Sequence, residues 1–138
     1  MSVVCIFIQC VVVALQLRLL KRLERNRQFK VTVIRASCLL AVVMLIMLAA
    51  NILQISIWAG LFVSIGEFEN IEEAFYHSAV NFTTLGYGDI VMSRQRRVLG
   101  ALEAANGVLM FGLTTSLLFA LSQVLIRRMW AELSDHES

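Results

Sequence analysis

The chain has 138 residues, 59% of them hydrophobic and only 16% charged, whereas a soluble domain is about half apolar and a quarter charged. An ordinary water-soluble fold is not expected. Twelve Lys and Arg against ten Asp and Glu leave a net charge of +2, too little for a nucleic-acid footprint, so no nucleic-acid partner is expected. Cys5, Cys10 and Cys38 lie inside apolar stretches without C-x-x-C spacing and read as small apolar groups, not as a disulfide or metal framework.

A bilayer core of about 30 Å needs roughly 20 helical residues. Residues 1–17 are uncharged and fall slightly short, so they are expected to form a transmembrane or interfacial helix. Their positive charges follow the apolar run and no small-residue cleavage site closes it, which favours a retained anchor over a signal peptide. A basic loop completes the 1–35 region: Arg18, Lys21, Arg22, Arg25, Arg27, Lys30 and Arg35 face only Glu24. The spacings of three resemble a voltage-sensor helix, but the charges lie beyond the apolar run. They read better as a juxtamembrane segment drawn to anionic lipid at about 1 kcal/mol per base.

Residues 36–66 are uncharged, and such a helix is about 46 Å long, enough to cross with tilt. Residues 98–126 carry one charge, Glu103, and enough Asn, Thr, Ser and Gln to require protein or water on one side. Residues 127–138 form a short tail opening on Arg127 and Arg128. The positive-inside rule places the basic loop and the tail in the cytoplasm, with the N-terminus and Glu67, Glu69, Glu72 and Glu73 outside. Arg94, Arg96 and Arg97 run against this assignment and are outnumbered.

Between the two longer spans, Asn70 followed three residues later by Glu73 makes a capping-box pattern, with Glu72 at the positive end of the helix dipole. The pattern predicts a helix over 71–82. Thr83-Thr84-Leu85-Gly86-Tyr87-Gly88-Asp89 cannot continue it, and glycines at alternate positions allow consecutive carbonyls to point one way. Such a row of oxygens suits a dehydrated cation.

Thr84-Leu85-Gly86-Tyr87-Gly88-Asp89 resembles the T-x-G-Y-G-D selectivity signature of the potassium channel family. The resemblance extends over residues 36–126, which are similar to the pore domain of small bacterial two-helix channels. It implies an all-α membrane protein with outer helix 36–66, re-entrant pore helix 71–82, filter 84–89 and inner helix 98–126, preceded by an extra N-terminal helix. The carbonyls of Thr84, Leu85, Gly86 and Tyr87, with the Thr84 hydroxyl, would replace the hydration shell of potassium. The bound potassium ions would be its only cofactor. Thr83, Asn81, Gly88, Asp89 and Glu103 would support the filter and its outer mouth. One copy of the motif implies a homotetrameric pore in the cell membrane.

Two departures stand out. Leu85 replaces the usual valine or isoleucine, and Val80 occupies the position where some relatives have a carboxylate bonded to the filter aspartate, so Asp89 must be restrained otherwise. Tyr76 and His77 stand where relatives carry an aromatic cuff, and His77 reads as a packing and hydrogen-bonding group. Gly107 resembles the hinge of the inner helix, with close helix packing as the alternative. Phe111, Thr115, Ser116 and Phe119 follow on one face as cavity candidates, although Thr115 and Ser116 can equally bond back to carbonyls. Glu103 is expected either to accept hydrogen bonds from Ser78 or Asn81, to pair with Arg96 or Arg97, or to reach solvent.

A potassium-selective channel is the expected function. The alternatives are the pore subunit of a potassium uptake transporter and a weakly selective or nonconducting regulatory subunit. No triad, carboxylate pair or metal-ligand set suggests an enzyme, His77 and His136 being far apart in sequence. Cysteine-accessibility labelling in intact cells, in a background lacking native cysteines, is expected to modify a probe at Glu69 and not one at Asn26. The opposite pattern inverts the topology.

Overall fold

A computed structural model describes residues 1–25 and 32–134, in four helices: α1 (Ser2–Arg25), α2 (Val33–Ser64), α3 (Ile71–Phe82) and α4 (Arg97–Ser134). Arg27, Lys30, His136 and the end of the tail lie outside the described residues, as do the side chains of Glu24 and Arg25. Helices α2 and α4 are each long and apolar enough to cross a membrane, the candidate span of α4 being Arg97–Trp130. The apolar part of α1, Ser2–Arg18, is shorter.

The short helix has the bounds expected from the sequence, but not by the expected cap. The Asn70 side chain makes no capping hydrogen bond, and the first turn is closed by the Asn70 carbonyl accepting from Ala74 N at 3.1 Å. The long helices exceed their uncharged stretches because charge limits where lipid can surround a helix, not where the helix itself ends. Thus α2 starts at Val33, before Arg35, with the Thr32 carbonyl accepting from Ala36 N. It stops at Ser64 ahead of Gly66, whose φ of +71° turns the chain. At its far end α4 continues past Arg127 and Arg128 to Ser134.

Two clusters of apolar side chains stack along the bundle. At the end where α2 finishes and α4 begins, Ile55, Trp58, Ala59 and Phe62 meet Ala74 and Phe82 of α3, Cys5 of α1 and Met110 of α4. Toward the other end, Val43 and Met47 meet Leu117, Leu121 and Leu125, with Val12 and Val13 of α1 packed alongside. Helix α3 therefore belongs to the first cluster only. It enters between α2 and α4 and ends there.

Gly107 explains how it can end there. A β-carbon on Gly107 would lie 1.9 Å from the Phe82 carbonyl oxygen and 2.8 Å from its carbon, so the backbone of α3 approaches α4 where only glycine leaves room. Close packing is thus a visible role of this glycine. Gly112 differs, with nothing within 4 Å of the equivalent position. Gly107→Ala is expected to destabilise the fold by about 3 kcal/mol or more through overpacking against backbone, whereas Gly112→Ala keeps it intact. Thermal unfolding of both variants checks this; equal melting temperatures would contradict it.

Candidate ion-conduction site

The carbonyls at the end of α3 need partners, because a helix leaves its last four unsatisfied. The chain supplies them by doubling back. Thr83 N donates to Ala79 O, Thr84 N to Asn81 O at 2.8 Å, and Leu85 N to Val80 O at 2.9 Å, with Gly86 N reaching the same Val80 oxygen at 3.4 Å. The Thr83 hydroxyl also donates to Ala79 O at 2.7 Å. Four consecutive amides are thereby committed to α3, and Thr83 is bound to it by both its amide and its hydroxyl.

Beyond this point φ changes sign at every second residue. Thr84 has φ +59°, Gly86 +60° and Gly88 +76°, and no residue from 83 to 89 other than these three is positive. A backbone alternating in handedness can turn successive carbonyls to one side, which an extended strand cannot. Glycine adopts the left-handed region freely; threonine, being β-branched, does so only under local constraint. At Thr84 that constraint is the amide bond to Asn81 O, joined by its own hydroxyl donating to Thr83 O at 2.6 Å.

The far end of the segment is tied by a second set of contacts, and these answer the question raised by Val80. Tyr76 donates its phenol hydrogen to Asp89 at 2.7 Å, from one turn before position 80 on α3. This bond, foremost, holds the Asp89 carboxyl below its ordinary range, with smaller contributions from hydrogen bonds to the Asp89 and Ile90 backbone. The His77 ring lies 2.9 Å from Ile90 O through Nδ1 and 2.7 Å from Asn81 Nδ2 through Nε2. Since a carbonyl can only accept and an amide nitrogen can only donate, His77 carries its hydrogen on Nδ1 and accepts on Nε2. Buried among Phe62 and Phe68, with ring centroids at 5.7 and 5.0 Å, it serves as the packing and hydrogen-bonding group expected of it. Asn81 is thus engaged with His77.

Residues 83–89 are exposed along their whole length in the single chain. Between this segment, α3 and the first turns of α4 lies a cleft of about 560 Å³, lined by His77, Val80, Asn81, Met92 and Gly100 among others. The segment therefore bridges an opening and is held at its two ends. The loop that follows is fastened to the end of α2 by Glu67, which accepts from Ser93 N and from Ser93 Oγ at 3.0 Å and pairs with Arg96 at 3.3 Å. Those bonds, led by the one from Ser93 N, lower the Glu67 carboxyl below its usual range.

Behind α3, Glu103 is fully buried and in contact with Ser78, whose hydroxyl also lies 3.0 Å from Ile55 O. Of the partners expected for Glu103, both candidates on α3 reach it, Ser78 in direct contact and Asn81 as a second side-chain hydrogen-bond partner, whereas Arg96 is engaged by Glu67. Thr115 and Ser116 are exposed on α4 and donate to Phe111 O at 2.9 Å and Leu113 O at 3.2 Å, the back-bonding alternative. Phe111 and Phe119 are exposed on the same helix, and Phe111 meets Phe82 at 5.8 Å. Gln9 and Gln54 carry no sequence signal as supporting residues, because nothing in their spacing marks a contact between helices, and the Tyr76 position gives no sign of its bond to Asp89.

The ion channel family matches residues 39–123, more than half of the chain, and the protein belongs to that family. No curated protein and no solved structure matches it. It is a membrane protein of a class that moves ions and catalyses no covalent reaction.

Tyr76→Phe removes the hydrogen bond that lowers the Asp89 carboxyl, so its titration is expected to move up toward the ordinary aspartate range. Because the folded state holds this group depressed, the stabilisation it contributes is present above the unfolded value and is lost as pH falls through the folded one. In Tyr76→Phe that acid-side loss diminishes, while protonation of the Asp89 carboxyl begins at higher pH. Side-chain carboxyl NMR of the two proteins checks the shift; an unmoved Asp89 would show that Tyr76 does not restrain it.

Proposed function

We propose that the protein is a potassium-selective channel whose pore is completed by four copies of the chain. The observation that carries this reading is the alternating backbone at Thr84, Gly86 and Gly88 within the sequence Thr84-Leu85-Gly86-Tyr87-Gly88-Asp89. In it, the carbonyls of Thr84, Leu85, Gly86 and Tyr87 face the ion path and substitute for water around a dehydrated cation. The amides of Leu85 and Gly86 are already spent on Val80 O, which supports a segment whose oxygens are free for coordination. Leu85 departs from the family pattern in its side chain, and coordination by its backbone is unaffected.

Assembly follows from chemistry as well as from the single motif. A row of carbonyls on one chain covers one side of an ion, and in the single chain the 83–89 segment is exposed and faces an open cleft. Four copies about one axis close the ring. In that arrangement α3 directs the negative end of its dipole at the pore, Asp89 stands at the mouth, and Phe111, Thr115, Ser116 and Phe119 are the candidates for the cavity wall. The cytoplasmic face would be the end where Arg18, Lys21, Arg22, Arg127 and Arg128 lie, which suits anionic lipid headgroups.

Liposomes containing the purified protein alone are expected to take up rubidium and potassium down a gradient and to exclude sodium. Gly86→Ala adds a β-carbon at φ +60°, a conformation costing an alanine about 1–2 kcal/mol, and is expected to collapse flux or selectivity while membrane insertion persists. Parent-like selectivity in that variant would reject the assignment.

A further inference from the structure

Helix α1 lies outside the 39–123 stretch that matches the ion channel family, and the mechanism above gives it no task. Its surface is inside out. The described side chains it buries are Cys5, Gln9 and Gln16, which share one face at spacings of four and seven, while Val3, Val4, Ile6, Phe7, Val11 and Leu15 are exposed. In lipid no hydrophobic force distinguishes one apolar helix surface from another, so polar contacts decide where such a helix docks.

The two glutamines dock at different levels. Gln16 donates to Val43 O at 3.4 Å, beside the cluster far from α3. Gln9 accepts from Gln54 Nε2 at 2.8 Å, and its own amide reaches Thr114 Oγ1 at 3.4 Å and Met47 Sδ at 3.5 Å. Gln54 directly precedes Ile55 on α2. The Ile55 carbonyl lies 3.0 Å from the Ser78 hydroxyl of α3, and Ser78 is also bonded to Glu103 of α4. Two residues further along α3, Val80 O holds the amides of Leu85 and Gly86. All four helices are thus linked through hydrogen bonds that end on the segment read here as the filter.

The seam has no slack. Gln9, Gln54, Ser78 and Glu103 are 0% exposed, and Gln54 Oε1 has no hydrogen-bond partner among the described residues. Removing Gln9 therefore strands Gln54 Nε2 as well, leaving a buried amide with neither of its ends bonded. Removing one partner of a buried bond costs far more than replacing both by apolar groups of the same shape. The Gln54 side chain would then have to move toward another polar group, taking with it the turn that carries Ile55 O.

We infer that α1 is a positioning element for the filter, acting through the Gln9–Gln54 hydrogen bond on the α2 turn that anchors Ser78, and is not an anchor alone. This rests on the channel reading only in calling residues 84–89 a filter; the mechanical link stands on the contacts themselves.

The test compares Gln9→Leu, Gln54→Leu, the double variant and Gln16→Leu, each as the full chain in lipid nanodiscs or planar bilayers. One readout is hydrogen exchange of the Leu85 and Gly86 amides; the other is the potassium over sodium permeability ratio. Gln9→Leu is expected to speed exchange at both amides about threefold to tenfold, the range that a single buried hydrogen bond in a membrane bundle supports, and to lower the permeability ratio. The double variant, an apolar pair in the same space, is expected to return toward the parent, and it remains measurable if Gln9→Leu assembles poorly. Gln16→Leu should leave both readouts at parent values even if it lowers the melting temperature. Parent-like exchange in Gln9→Leu, additive loss in the double variant, or an equal effect from Gln16→Leu would each overturn the proposal. Faster exchange in a protein that admits sodium and potassium equally would uphold the positioning role and reject the potassium reading.

Discussion

The C-terminal end of α3 is the constraint on which the site depends. A helix that stops between two others must find donors for its last carbonyls. Here they come from the next residues of the chain itself: the amides of Thr83, Thr84, Leu85 and Gly86. Satisfying the helix therefore shapes the segment. With those donors turned toward α3, the chain can leave only by reversing handedness, and it does so at Thr84, Gly86 and Gly88. The glycines make the reversal possible and the helix end makes it necessary.

That end must in turn be held at one depth. Three contacts fix it, each of a different kind. The Phe82 backbone lies against Gly107 of α4 at a distance no side chain permits. Ser78 sits between Ile55 O and Glu103, joining α3 to both long helices by hydrogen bonds. Phe62, Phe68 and His77 give an aromatic contact on the remaining side. Steric contact sets the closest approach, the hydrogen bonds set rotation, and the rings fill the volume. A separate strap holds the exit: Tyr76 to Asp89, His77 to Ile90, and Glu67 to Ser93 and Arg96 fasten the end of the segment to α3 and α2.

A polar interior in an apolar chain is consistent with this division of labour. Gln9, Gln54, Ser78, Glu103 and Asn106 are buried at the level of α3, whereas Val43, Leu117, Leu121 and Leu125 fill the bundle below it. In the lower part Gln16 is the buried polar side chain, bonded to Val43 O. A short helix ending within the bundle brings its own unsatisfied groups, and polar partners gather around it.

Much of this was legible in the sequence, for identifiable reasons. The bounds 71–82 followed from the residues flanking a short apolar run, and the special backbone at Gly86 and Gly88 from the absence of a β-carbon, both local properties of the chain. The two long spans followed from hydropathy, which records what lipid tolerates; their ends did not, because a helix continues past its last lipid-facing residue, as α4 does beyond Arg127. The capping role of Asn70 is not realised, since a side chain suited to a cap need not make one when the backbone already closes the turn. Ser78 was legible as one of several candidate partners for Glu103, and only the packing of α3 against α4 chose it over Arg96. Tyr76 for Asp89, Gln9 for Gln54 and Phe82 against Gly107 are pairings between residues whose separation in sequence carries no period. Sequence alone determined which groups needed partners; the tertiary structure decided which partners they received, because that depends on the depth and rotation at which the helices meet.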